Sequence, residues 1–76
     1  MIPDKNQPEW RDLLTGKKNY KFRNFVLQMK VNQLTKDVEE QKYSTQEAID
    51  QLYELCCKYQ LAVKNDIEMV FNQSAN

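Results

Sequence analysis

The sequence predicts an all-α protein built on a helical hairpin of two long helices, with a short helix before them. The single glycine is Gly16 and both prolines precede it, so residues 17–76 contain no residue of the kind that usually breaks a helix. Apolar residues beyond Gly16 recur at spacings of three and four, which is the helical period. Ser44 and Glu47 have the spacing of a capping box and mark a helix start within this stretch.

The short N-terminal helix is predicted from Pro8 to Gly16. Proline suits the first helical position, and glycine can end a helix in the left-handed conformation. Trp10 and Leu14 lie four residues apart and share one face. A helix this short forms only when that face docks, so we expect these two side chains to pack on the main body. Residues 1–7 are polar without periodicity and are predicted to be a disordered tail.

The first long helix is predicted from about Tyr20 to about Gln41, since this stretch is rich in good helix formers. Its apolar residues fall into two stripes on different sides of the helix. One stripe consists of Phe22, Phe25, Val26 and Met29. The other consists of Leu27, Val31, Leu34 and Val38. A helix that is apolar on two sides needs cover on both.

The second long helix is predicted to begin after Ser44 and to carry one apolar seam. That seam consists of Ile49, Leu52, Cys56, Tyr59 and Val63. The pattern leaves open whether this helix continues to Phe71 or bends near Lys64 and Asn65 to give a short C-terminal helix. Residues 8–71 are predicted to form a single domain, and residues 72–76 a second disordered tail.

The Trp10 segment or residues 67–71 could cover part of the stripe that the single seam leaves open, and otherwise self-association would cover it. A domain of 76 residues also has a small core, which association with another chain would supplement. The charges fit this arrangement, because residues 13–36 hold six bases and no acid, whereas residues 37–54 hold six acids and one base. We therefore predict a homodimer in which two hairpins form a four-helix arrangement.

The residues that usually carry catalysis are scarce. The sequence has no histidine and no glycine-rich phosphate loop, and it predicts neither an enzyme nor a cofactor site. The only cysteines, Cys56 and Cys57, are adjacent, which does not suit zinc ligation or a disulfide between distant segments. No apolar run approaches the roughly 20 residues of a membrane span, and the N-terminus has no signal-peptide pattern. We expect a cytoplasmic protein without membrane contact.

The predicted function is that of a protein-binding adaptor or regulatory subunit, with the two stripes of the first long helix as its interface. The identity of the protein partner does not follow from the sequence. A nucleic-acid-binding regulator is the alternative, because basic residues alternate with aromatic ones at the start of this helix. The basic patch consists of Lys17, Lys18, Lys21, Arg23 and Lys30. A net charge of zero disfavours that alternative.

Two short blocks of the sequence resemble the small helical proteins that trigger phycobilisome degradation in cyanobacteria. The residues that carry the resemblance are Phe22, Arg23, Phe25, Gln28, Ser44, Gln46, Ala48, Leu52 and Tyr53. The match needs an insertion between the two blocks, and this chain lacks the basic C-terminal end of that family. The resemblance implies a dimeric helix-loop-helix adaptor.

Overall fold

A computed structural model describes residues 2–16 and 20–73 of the chain. Its helices are α1 (Pro8–Leu14), α2 (Phe25–Glu39), α3 (Thr45–Lys58) and α4 (Gln60–Gln73). Over the described ranges the remaining residues form turns and loops, without a strand. The predicted all-α class is confirmed.

The core lies around α3, which packs against α1, α2 and α4. Trp10 of α1 is fully buried there and contacts aromatic rings from two other helices. Its ring lies edge-on to Tyr53 of α3, with centroids 5.8 Å apart, and 5.1 Å from the ring of Phe71 of α4. Its indole N–H donates to the Asp4 carbonyl oxygen at 3.0 Å. As expected, α1 is held by the docking of Trp10 and Leu14.

The ends of α1 follow the sequence signals. Pro8 occupies the first turn, and Gly16 follows the helix with φ +72°. A residue that has a Cβ adopts this conformation only at a cost in free energy. The one glycine therefore lies where the backbone geometry requires it. Ahead of α1, Ile2 packs against the core.

The first long helix is shorter than predicted at both ends. It begins at Phe25 rather than at about Tyr20, because hydrogen bonds hold residues 22–24 outside the helix. It ends at Glu39, and Gln41 adopts φ +62° in the connection to α3. The start of α3 is confirmed, since both hydrogen bonds of the capping box at Ser44 are present.

The C-terminal part matches neither alternative that the sequence left open, a helix continuous to Phe71 or a bend near Lys64 and Asn65. α3 ends at Lys58, Tyr59 interrupts the helix with φ −117° and ψ 42°, and α4 then continues to Gln73. The bend near Lys64 and Asn65 is therefore wrong, because both residues lie inside α4. The C-terminal helix is as long as α3, at 14 residues each, and runs into the segment predicted as a tail.

Candidate functional site

The two predicted stripes of α2 differ in their exposure to solvent. Leu27, Val31 and Leu34 are buried in the core of the chain itself, and Val38 is half-buried against it. The other stripe lies largely in solvent: Phe25 is 74% exposed, and Val26 and Met29 are each 55% exposed. Phe22 of that stripe is half-buried and packs against the core. We call Phe25, Val26 and Met29 the outer face of α2.

A groove adjoins the outer face where α2, α3 and α4 meet. It encloses about 130 Å³ and shares Val26 with the outer face. Its lining consists of Asn24, Val26, Leu55, Tyr59 and Val63. We call it the junction groove. Ligand pockets for drug-sized molecules measure about 300–1,000 Å³, so this volume suits a single anchoring side chain better than a small-molecule ligand.

A buried carboxylate fixes the walls of the junction groove. Asp66 of α4 is 2% exposed, and its two oxygens accept hydrogen bonds from the backbone N–H groups of Arg23 and Asn24, at 2.7 and 2.9 Å. Asn24 then caps α2 by accepting from the Leu27 N–H at 2.9 Å. The first turn of α2 is thereby tied to α4, and the groove between them has a defined shape.

Asp66, Asn24 and Leu55 were missing from the residues predicted for the site, and Tyr59 and Val63 were predicted only as part of the seam of the second long helix. One signal for Asp66 was present in the sequence. It shares a helix face with Val63 and Ile67, and an acid on an apolar stripe needs a hydrogen-bonding partner when it is buried. The sequence does not identify that partner, because Arg23 and Asn24 lie more than 40 positions away in the chain.

Three basic residues lie next to, or one helical turn from, residues that line the junction groove. Lys30 of α2 reaches Gln51 of α3, with Nζ 3.3 Å from Oε1, and Lys58 Nζ lies 5.6 Å from the centre of the Tyr59 ring. Arg23 is exposed beside the first turn of α2. Among the described residues, no acidic side chain lies within ion-pair distance of these three bases. Within the described ranges, these three bases are therefore not neutralised by ion pairs.

The predicted basic patch is only partly described. Lys17 and Lys18 lie outside the described residues. Lys21 and Arg23 are exposed, whereas Lys30 is half-buried against α3. Two of the patch residues, Arg23 and Lys30, thus border the outer face of α2.

A second cleft, of about 240 Å³, lies between the end of α1 and α2. Tyr20 and Phe22 form one side, with ring centroids 6.0 Å apart, and Thr35 and Lys36 contribute polar groups from α2. Its volume is also below the usual range for drug-sized ligands.

The adjacent cysteines have different surroundings. Cys56 is buried, and desolvation together with the neighbouring Cys57 raises the pKa of its thiol to about 12. At neutral pH it is therefore a protonated thiol that packs as a small apolar group. Cys57 is half-buried, and its hydrogen bond with Tyr53 raises the pKa of that phenol. Within residues 2–16 and 20–73, no group of three His, Cys, Asp or Glu side chains is placed to hold a metal ion.

Comparison with known proteins gives no match to a family model, a curated protein or a solved structure. The resemblance to the phycobilisome-degradation proteins stays a prediction. In the part of the chain that the structure describes, no helix combines the length and apolarity needed to cross a membrane.

Proposed function

We propose that this chain is a non-catalytic adaptor or regulatory subunit that binds another protein through the outer face of α2 and the junction groove. The observation that supports the proposal is the exposure of Phe25, Val26 and Met29 on one helix face. Scattered exposed apolar residues are ordinary, but clustered ones beside a groove are typical of interaction sites.

The surroundings of this surface support a protein partner over a small ligand. An apolar centre with a charged rim is the usual composition of a protein interface. The outer face supplies the centre, and the basic side chains of Arg23, Lys30 and Lys58 supply the rim. The groove offers a place for one anchor from the partner, and such buried anchors carry much of the binding free energy.

A substitution at Val26 tests the proposal without damaging the fold. Val26 is in the first turn of α2, where an acidic side chain interacts favourably with the helix dipole, so Val26→Asp should fold normally. Asn32→Asp is the matched control, since it adds the same charge to the exposed side of α2 and retains the acceptor for Gln28. Circular dichroism and thermal unfolding confirm that both variants are folded.

Affinity capture from an extract of the host organism, followed by mass spectrometry, then reads out binding. We expect a protein that is captured by the natural chain and by Asn32→Asp and is lost with Val26→Asp. Buried charge opposite an apolar partner costs several kcal/mol, so the loss should be nearly complete. If every captured protein is recovered equally with all three baits, the proposed surface is wrong.

The homodimer with its four-helix arrangement stays a prediction for the same surface. A second copy would cover Phe25 and Met29 and would add buried apolar area to a small core. Sedimentation equilibrium at high micromolar concentration tests it directly. A dimer that dissociates in Val26→Asp would establish the outer face as the contact, whereas a monomer at that concentration would remove the prediction.

Nucleic-acid binding through the basic patch is the second candidate, and Lys21 and Arg23 are exposed as it requires. Salt separates the two candidates. Binding to phosphates weakens steeply between low and moderate salt because counterions are released, whereas an apolar interface changes little. An electrophoretic shift assay with mixed DNA and RNA at two salt concentrations makes the measurement.

A further inference from the structure

The apolar part of the outer face is short. Phe25 and Met29 are followed along the same side of α2 by Asn32 and Lys36, which are polar and exposed. A second α2 laid along this helix would bury those polar groups. The apolar surface continues instead sideways, from Val26 into the junction groove.

Basic side chains outnumber acidic ones around this surface. Besides Arg23, Lys30 and Lys58, the first turn of α2 contributes the partial positive charge of a helix N-terminus. The Asp66 carboxylate is buried beside the same helix start, where it accepts from two backbone N–H groups and offsets that partial charge. Glu54 is an exposed acid on this side of α3, one helical turn before Lys58, and no ion pair joins the two side chains.

A second copy of the chain fits this charge poorly. Two-fold symmetry places the same patch on both sides of the contact. A dimer centred on Val26 would bring Arg23 and Lys30 of one copy near the same residues of the other. Like charges across an interface cost free energy and select against a partner, whereas acidic groups at these positions would be attracted.

The shape of the surface favours a helix as the partner. The groove takes one side chain, and Phe25 and Met29 form an apolar ledge beside it. An amphipathic helix presents apolar anchors at i, i+3, i+4 and i+7, which can fill a groove and cover a ledge together. We infer that the outer face of α2 and the junction groove bind an amphipathic helix of a different protein, whose apolar stripe is flanked by acidic side chains. This inference rests on the proposed function and specifies its partner.

Designed peptides of about 15 residues, roughly four helical turns, provide the test. One peptide carries a leucine stripe flanked by glutamates, and a second carries the same stripe flanked by lysines. Fluorescence anisotropy with the full chain should show that the glutamate peptide binds at least about tenfold more tightly than the lysine peptide. Val26→Asp should weaken binding of the glutamate peptide by about tenfold or more, and Asn32→Asp, which adds the same charge outside the junction groove, should weaken it much less.

Charge reversal makes the test specific. In the double variant Lys30→Glu with Lys58→Glu, the preference should invert, so that the lysine peptide binds more tightly. Lys64→Glu, on an exposed position of α4, is the control and should retain the original preference. Thermal unfolding of each variant shows that it remains folded.

The possible outcomes separate this inference from the proposed function. Equal binding of both peptides, or an absence of binding while Val26 still governs capture from extract, overturns the acidic helix and leaves the adaptor proposal standing. If neither peptide binding nor capture from extract depends on Val26, the inference and the proposed function are both wrong. A dimer of the natural chain that Val26→Asp dissociates makes a second copy the occupant and overturns the inference.

Discussion

The starts of α2 and α3 provide acceptors for their backbone N–H groups in different ways. Each helix start leaves backbone N–H groups without partners inside the helix. At α3 the partners are local: the Glu47 N–H donates to Ser44 Oγ at 3.1 Å, and the Ser44 N–H donates to Glu47 Oε1 at 3.4 Å. At α2 Asn24 caps locally, but the N–H groups just before the helix donate to Asp66, a residue of α4.

The difference determines what each helix start depends on. The start of α3 requires only four consecutive residues and can form before the rest of the chain folds. The start of α2 requires α4 to be in place, because Asp66 lies 42 and 43 positions from its two donors. The apolar surface proposed for binding lies on this second, dependent element.

Among the substitutions that test this difference, removal of Asp66 should lower the free energy of unfolding most. Asp66→Ala leaves two partly buried N–H groups without acceptors, and we expect a loss of about 2–4 kcal/mol in the free energy of unfolding. For a domain of this size that corresponds to a fall in Tm of roughly 10–25 °C. Hydrogen exchange should accelerate in the first turn of α2 more than in that of α3.

Two further variants control for the loss of a carboxylate from α4. Glu68→Ala removes an exposed acid from the same helix and should change stability little. Asp66→Asn keeps one acceptor and should fall between the natural chain and Asp66→Ala. Equal stability of Asp66→Ala and Glu68→Ala would show that the distant hydrogen bonds do not hold α2.

Removal of the cap of α3 should have a smaller, local effect. Ser44→Ala eliminates the acceptor for the Glu47 N–H, and we expect a loss of about 1 kcal/mol measured by urea unfolding. Ser44→Asp supplies an equivalent acceptor and should retain most of the stability. Faster exchange confined to the first turn of α3 is expected, and an equal effect at α2 would contradict the independence of the two starts.

The smallest loss of stability is expected from substituting Gln28, which holds the segment that leads into α2. The Gln28 side chain accepts from the Phe22 N–H at 2.8 Å and helps to keep that segment outside the helix. Gln28→Ala should cost about 0.5–1 kcal/mol in urea unfolding, and Gln28→Glu, which retains an acceptor oxygen, should cost less. If the two variants lose the same stability, the hydrogen bond to Phe22 has no role in placing the start of α2.

The same local and distant contrast explains what could be predicted from the sequence. Pro8 and Gly16 at α1, and Ser44 with Glu47 at α3, act through their own neighbours and were predicted correctly. The start of α2 was placed too early because Asp66 is not a neighbour in sequence. The break at Tyr59 carries no glycine or proline and gave no signal.

The candidate site was predictable only in part. The helical period of α2 predicts two apolar stripes, and each consists of apolar residues throughout. Packing decides between them, and it buries the stripe of Leu27 and Leu34 and leaves Phe25 and Met29 exposed. The junction groove joins residues from three helices, so no short segment of the sequence contains it. The homodimer and the nucleic-acid alternative remain predictions.

The burial of Trp10 makes its fluorescence a probe of the fold. It is the only tryptophan, it is fully buried against Tyr53 and Phe71, and it does not line the junction groove. Its emission should shift to longer wavelength when α1 leaves the core and should stay constant when a peptide occupies the groove. A single fluorescence spectrum can therefore distinguish a variant that has lost its partner from one that has lost its fold.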